Sequence, residues 1–404
     1  MNNSNHSMLA TQTMTPLALP THHYPYPEYS KFLQGALLPF DEQSHCWVAS
    51  RAQVVQEVFD SAHCVVRPEC ELVPKNIVGS GAGDVFAHLI RMNEGAAHQP
   101  AKQVLQTSLR CLDLSRVASD AAFFAEQLVA NHAINTGSGL SLWMVDLPVY
   151  VLGKTLGFRA EELPGLAAWM ADFVRCLSPL SSTQQLADAG LAAHKLQARF
   201  RELLQSSLAN KESFLAQLQC EAKRVGWDNA DAIVANLIGL LSQTYEASAG
   251  LIGNGLVVLH QQPTMITQLQ NNPSLINVFV EEVARFDSPV QNTRRFVRKA
   301  CIIAGQSLQT GDVILLLLAA ANRDANINPD PDTFKLHRVA RKMFTFGHGR
   351  HACPGHEIAL TIATQAIQNL LGIFAPAYWQ GLQWAYRPSL NGRIPVFIHT
   401  KEKS

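Results

Sequence analysis

Phe344-Thr345-Phe346-Gly347-His348-Gly349-Arg350-His351-Ala352-Cys353-Pro354-Gly355-His356-Glu357 places three glycines, three histidines and one cysteine within fourteen residues. Gly347, Gly349 and Gly355 permit tight turns and close approach of the backbone to a flat ligand. Cys353 lies just before an apolar-periodic segment from Glu357 to Phe374, which reads as a helix. The free N–H groups and positive end of that helix favour a thiolate at Cys353, and the thiolate is the metal-ligating form of cysteine. Two plainer readings compete. A lone cysteine is commonly a small buried hydrophobe. His348, His351, Cys353 and His356 also resemble a zinc set, although structural zinc takes ligand pairs from separate knuckles, and these four share one short loop.

Upstream of this loop, residues 229–260 form one long apolar segment, capped by Asp228 or Asn229 and ended by Gln261-Gln262-Pro263. As a helix it spans about 48 Å at 1.5 Å per residue. Its middle, Ser242-Gln243-Thr244-Tyr245-Glu246-Ala247-Ser248, is polar. Polar groups within a buried helix are costly unless satisfied, so this patch is expected to face a cavity or ligand, the alternative being a solvated stretch. Further helices are expected over 115–133, 160–177, 184–208, 274–286 and 356–374. Short strands are expected from Ala300 to Ile303, from Gln306 to Leu308 and from Val313 to Leu318, with turns at Ala304-Gly305 and Thr310-Gly311. The fold class is mainly α with a smaller β lobe.

Composition narrows the rest. The 404 residues carry 32 Lys+Arg and 32 Asp+Glu, so no global charge argues for a nucleic-acid or anionic-membrane partner. Eight scattered cysteines without repeated spacing suit a reducing compartment. The longest strongly apolar run, Val313 to Ala321, is too short to span a bilayer. The polar beginning of the chain has no apolar core like that of a signal peptide. A cytoplasmic location is therefore expected, with a disordered arm over residues 1–25 and a single domain over 26–404. Glu282 and Arg285 stand three apart on one helix face and can pair.

The order of these features (long helix, Glu-x-x-Arg, short strands, glycine-rich cysteine loop) resembles the cytochrome P450 superfamily over nearly the whole chain. Phe346-Gly347-x-Gly349-x-x-x-Cys353-x-Gly355 is similar to the family's haem loop, and Glu282 with Arg285 to its core-bracing motif. Ala321-Asn322-Arg323-Asp324 and Pro329-Asp330-Pro331-Asp332 resemble the segment preceding that loop in soluble bacterial members. The resemblance implies a P450 fold holding haem b between the long helix and the loop, with Cys353 on the iron and Phe346 and Gly355 beside it. It further implies that His98, Lys102, Arg295 and His351 meet the haem propionates. Electrons would come from a separate ferredoxin or flavodoxin with its reductase, because no flavin domain is fused here.

Two positions depart from the family pattern. Thr333 stands where an arginine usually completes the brace, and Lys102 where arginine is usual. The central helix departs further, reading Gln243-Thr244-Tyr245-Glu246-Ala247 where the family reads Ala/Gly-Gly-x-Asp/Glu-Thr. The acid is kept, but the threonine is Ala247. The expected activity is oxidation of a small or medium-sized organic substrate by a haem-thiolate monooxygenase of specialised metabolism. Glu246 is expected in the proton path, and the oxygen-facing hydroxyl moves from position 247 to Thr244, with Gln243 as a second polar contact. Thr244 bonding its own helix backbone is the competing arrangement. Ala247, Val290, Gln291 and Asn292 are expected in the substrate pocket, with the loop around 70–92 and residues 390–394. Peroxide-driven or otherwise atypical haem-thiolate chemistry, and a haem sensor or carrier without turnover, are the alternatives.

Overall fold

The computed structural model describes residues 14–399. Helices dominate them. The longest, Ala230–Gln261, starts where the Asn229 side chain accepts from the Ala232 N–H at 3.0 Å and stops before Pro263, which opens the next helix. Every residue from 232 to 239 and from 248 to 259 is buried. Helices Gly81–His88, Gly137–Thr155, Thr183–Ser207, Leu275–Phe286 and His356–Ile373 pack around it. This helix is therefore the axis of the largest core cluster.

The expected helices are present within a few residues of their expected ends. Gly137–Thr155 was not anticipated, for a physical reason. It contains Pro148 and is buried on nearly every face, so its sequence carries no 3.6-residue polar alternation. Gln99–Arg110, which carries Lys102, was also missed, though its Pro100 stands in the first helical turn.

The β lobe contains a five-stranded sheet in the order Phe40–Asp41, Cys46–Ala49, Val313–Leu316, Thr293–Val297, Cys64–Val65. Only the pairing of Cys46–Ala49 with Val313–Leu316 is parallel. Arg295 lies opposite Ile314 in this sheet, and its side chain is buried. The hairpin Cys301–Ile303/Gln306–Leu308 turns at Ala304 and Gly305, where φ is +48° and +79°. A second hairpin, Leu382–Tyr386/Pro395–His399, closes the chain's described part.

Of the arm expected over residues 1–25, residues 1–13 lie outside the described part. Residues 14–25 are packed instead: Leu19 is fully buried, and Arg393 donates to the Pro20, His22 and His23 carbonyls at 3.2, 2.6 and 3.0 Å. Arg393 also holds Asp287 at 2.7 Å, so the strap is tied to the end of the helix that carries Glu282 and Arg285.

Candidate active site

The cysteine loop is shaped by its glycines. Gly347 (φ +73°) and Gly349 (φ +61°) take left-handed conformations, and a side chain at Gly347 would press on the His351 carbonyl at 3.2 Å. The Cys353 N–H closes the loop onto the Phe346 carbonyl at 2.7 Å. Arg350 pins it from outside, donating to the Phe59, Ser61 and Cys64 carbonyls at 3.1, 3.1 and 2.8 Å. Cys353 is accessible, yet protein surrounds it closely enough that burial pushes its thiol pKa up against the opposing pull of the Gly355 N–H and Lys102. Two residues on, Gly355 lines a cavity together with Leu240 and Thr244 of the long helix, which brings the accessible thiol close to that interior space. The helix-end effect expected at Cys353 is present but outweighed by burial. The zinc arrangement is absent, because the side chains diverge: His348 approaches Asp60 at 3.5 Å, His351 approaches Glu94 at 3.1 Å, and His356 lies against Phe346.

Across this space stands the middle of the long helix. Gln243 is exposed and Leu240, Thr244, Glu246 and Ala247 are partly so, in a helix otherwise buried on both sides. Leu240 and Thr244 line one cavity together with Gly355 and Ile358, which join the long helix to the cysteine loop. Of the polar patch, Thr244 lines this cavity. The side chains of the patch are partly committed. The Thr244 hydroxyl donates to the Leu240 carbonyl at 2.8 Å, and Gln243 Nε2 donates to the Gly239 carbonyl at 2.9 Å. Thr244's only proton is thus engaged with its own helix, the competing arrangement, rather than presented to the cleft. Glu246 lies 3.4 Å from Arg387 Nη1, and burial pushes its carboxyl pKa up against Arg387 and Arg91.

Three of the four cationic candidates converge. His98 and His351 lie with ring centroids 4.4 Å apart, and Arg295 shares their surroundings with Glu94 and Arg350. Burial, then the charge of His351, pushes His98 down to about 4, and burial lowers Arg295 to about 10, so near neutrality Arg295 stays charged and His98 stays neutral. The Arg295 guanidinium lies over the Phe59 ring at 4.9 Å and donates to the neighbouring Arg294 carbonyl at 2.8 Å. His351 Nε2 is buried and close to Glu94, but the angle is poor and no aligned acceptor meets it. A buried donor lacking an acceptor, beside a charged guanidinium with N–H groups to spare, fits the carboxylates of a haem. Lys102 takes another course: its ammonium bonds the Ala352 carbonyl, steadying the residue before Cys353.

Behind the loop, Glu282 and Arg285 are fully buried. Arg338 and Arg341 reach Glu282 at 3.0 and 2.9 Å and do the work expected of an arginine at 333, while Thr333 offers its carbonyl to Arg285. Sequence reading missed both arginines and Glu94, although Arg338 and Arg341 stand three apart in the stretch leading to the loop. Asn322 and Thr345 complete the support: Asn322 bonds the Phe344 N–H and Thr345 Oγ1, and Thr345 donates to the Ala284 carbonyl.

Two expected pocket residues are engaged in the backbone framework. Gln291 is fully buried with Nε2 on the Ser288 carbonyl at 2.6 Å, and Asn292 Nδ2 bonds the Leu390 carbonyl at 2.8 Å. Both side chains join neighbouring strand ends instead of lining open space. Val290 is partly exposed and bridges Gly392.

The family model for cytochrome P450 matches residues 240–380, which contain the polar middle and the following part of the central helix, the brace and the cysteine loop. Among curated proteins, the biotin biosynthesis cytochrome P450 of Bacillus subtilis is 29% identical over 61% of this chain and 62% of its own length. Vitamin D(3) 25-hydroxylase of Pseudonocardia autotrophica is 34% identical over 55% of each chain. The chain thus matches less than two thirds of either relative's length. Among solved structures, P450BioI in complex with hexadec-9Z-enoic acid ligated acyl carrier protein superposes with a TM-score of 0.79 at 22% identity, covering 93% of this chain and 97% of that one. At that identity the likeness establishes the fold.

Proposed function

Because the chain belongs to the cytochrome P450 superfamily, we propose that it is a haem-thiolate monooxygenase acting on a small or medium-sized organic substrate. The observation carrying this reading is the Cys353 thiol, enclosed yet accessible, across a cleft from the polar middle of the 32-residue helix. Haem b, when bound, supplies the iron at which dioxygen is activated, and a thiolate ligand promotes O–O cleavage. Cys353 ligates the metal. Arg295, His98 and His351 hold the propionates, while Phe346 and Gly355 leave room for close approach. Lys102 fixes the Ala352 carbonyl. Glu246 is the acid–base group on this patch, burial pushing its carboxyl pKa up and Arg387 pulling it down.

Relatives named for a biotin pathway and for vitamin D(3) hydroxylation support an organic substrate. The setting is specialised metabolism in the cytoplasm, with a ferredoxin or flavodoxin and its reductase as electron donor. Among the described residues no helix is long and apolar enough to cross a membrane, which agrees with that setting. The test is spectroscopic. Haem-loaded protein, reduced under carbon monoxide, should show the strongly red-shifted band of thiolate ligation, and a substrate screen should follow the shift in haem absorption. Absence of the band from protein with full haem occupancy would refute the reading.

One observation favours a second mode. With alanine at 247 and the Thr244 proton engaged by Leu240, neither position offers a hydroxyl to the proton relay of reductive oxygen activation, and the unbonded hydroxyl of Ser248 is buried. Peroxide-driven oxidation needs no such relay. Turnover with hydrogen peroxide, faster than with reductant and a ferredoxin system, would assign it.

A further inference from the structure

Among the described residues Arg91 has no hydrogen-bond partner. It sits on the short helical turn Ile90–Met92, whose backbone is fixed to the long helix: the Ile90 N–H donates to Asn236 Oδ1 at 2.8 Å, and Asn236 Nδ2 donates to the His88 carbonyl at 2.9 Å. The side chain has no such anchor. Its Nε is buried and unbonded, and among the described residues no hydrogen bond or ion pair involves its guanidinium. Cys176 and Glu246 are the groups whose charges act on it. Glu246 is already shared with Arg387, which follows the strand Leu382–Tyr386 and approaches the carboxylate at 3.4 Å.

The charge count is therefore uneven. Two guanidinium groups, which stay protonated in proteins, flank one carboxylate whose own pKa burial raises. Arg91 is half-buried: its Nε is withdrawn from solvent and unbonded, while its terminal N–H groups stay accessible to an incoming anion that would complete the pair. The guanidinium fork matches a carboxylate, with two parallel N–H···O bonds. Nearby surfaces are apolar: Leu89, two residues before Arg91, packs against Gly239, and Leu240 lines the cavity shared with Gly355.

We propose that Arg91, assisted by Arg387, binds the carboxylate of the substrate, so that this site takes an organic monocarboxylic acid with an apolar body. The proposal rests on the haem-thiolate reading for where the apolar body lies, but not for the ion pair itself. Arg91 acts here as a binding and specificity residue.

The test uses haem-loaded full-length protein with decanoic, dodecanoic, hexadecanoic and cinnamic acids, their methyl esters and the corresponding alcohols. Binding is followed both by the haem absorption shift and by thermal stabilisation, the second readout being independent of the iron. At least one acid should bind more tightly than its ester and alcohol. Arg91→Gln should weaken that acid about tenfold or more, the expected loss of a charge-assisted pair, and leave ester affinity unchanged. Arg91→Lys should recover part of the loss. Without ligand, the Tm of Arg91→Gln should be unchanged or raised, because no bond is lost; a large fall would mean that Arg91 is structural. Acids that bind no better than their esters, or that bind Arg91→Gln equally well, would overturn the proposal. Failure of the carbon monoxide band with retained acid-specific stabilisation would refute the haem-thiolate reading and leave the carboxylate site standing.

Discussion

Glu282 and Arg285 meet in a two-point ion pair, Oε1 to Nη2 at 2.7 Å and Oε2 to Nε at 3.1 Å, with both side chains wholly withdrawn from solvent. The same carboxylate also receives Arg338, Arg341 and the Lys335 N–H. Despite burial, these donors hold its pKa below the usual carboxylate range. Glu282→Ala would strand three arginines at one buried point, and breaking a buried pair costs about 3–5 kcal/mol. The expected variant expresses poorly or loses haem. Arg341→Ala should be milder, since Arg285 and Arg338 remain on the acid. Denaturant titration and the ratio of haem to protein absorbance measure both. Equal effects would show that Glu282 does not organise the cluster.

Cys353→Ala should remove the red-shifted carbon monoxide band while leaving the fold intact, because the loop is closed by backbone bonds and by Arg350 rather than by the thiol. Far-ultraviolet circular dichroism should match the parent protein. The other seven cysteines offer no substitute, since none lies in a glycine-rich loop before a helix. A band that survives the substitution would move the ligand elsewhere.

Glu94 ties residue 350 of the loop to the segment before His98. Burial pushes its carboxyl up, but His351 and Arg350 outweigh this and hold it at about 2. Since burial lowers His351 too, Arg350, at 3.0 Å, is the dependable positive charge. A carboxyl depressed in the folded state stabilises above its unfolded pKa and loses that contribution as pH falls through the folded one. The contribution should be complete above about pH 4.5 and fade towards pH 2, amounting to about 2–3 kcal/mol. Glu94→Gln should lower stability near neutrality and flatten this acid limb in urea titrations. An unchanged acid limb would mean that the pair is solvated.

The cysteine loop, the long helix and the Glu-x-x-Arg pair were legible because each depends on local chemistry: glycines at φ > 0, a cap with a following proline, and two charges on one helix face. What escaped sequence reading depends on distant parts of the chain meeting. Arg338 and Arg341 replace the arginine missing at 333 only because the chain folds back over Glu282. Gln291 and Asn292 look like pocket residues until residues 288 and 390 are seen to accept their amides. Lys102 reads as a propionate partner, yet the loop carbonyl at 352 lies within its reach. Residues 14–25 look like an arm because the partner that orders them, Arg393, lies 373 residues from Pro20 in sequence.

The last prediction concerns proton delivery. Thr244 and Ala247 are three apart and share a face, so a hydroxyl at 244 is placed to replace one lost at 247. It can donate one proton, and the Leu240 carbonyl holds that proton at 2.8 Å. Reaching into the cleft would require giving up this bond, worth about 1 kcal/mol. Glu246 is the remaining acid on the patch, and burial already favours its neutral form. Thr244→Ala should therefore leave product formed per electron pair within about twofold of the parent, a change worth less than about 0.5 kcal/mol. Glu246→Gln should lower reductant-driven turnover by about tenfold or more, within the usual range for loss of a positioned acid. The same variant should retain peroxide-driven turnover, which needs no proton relay for reductive oxygen activation. Measuring product, peroxide and consumed reductant in both variants separates the residues. Peroxide release in Thr244→Ala alone would show that the hydroxyl leaves Leu240 during turnover and restore Thr244 as the oxygen-facing donor.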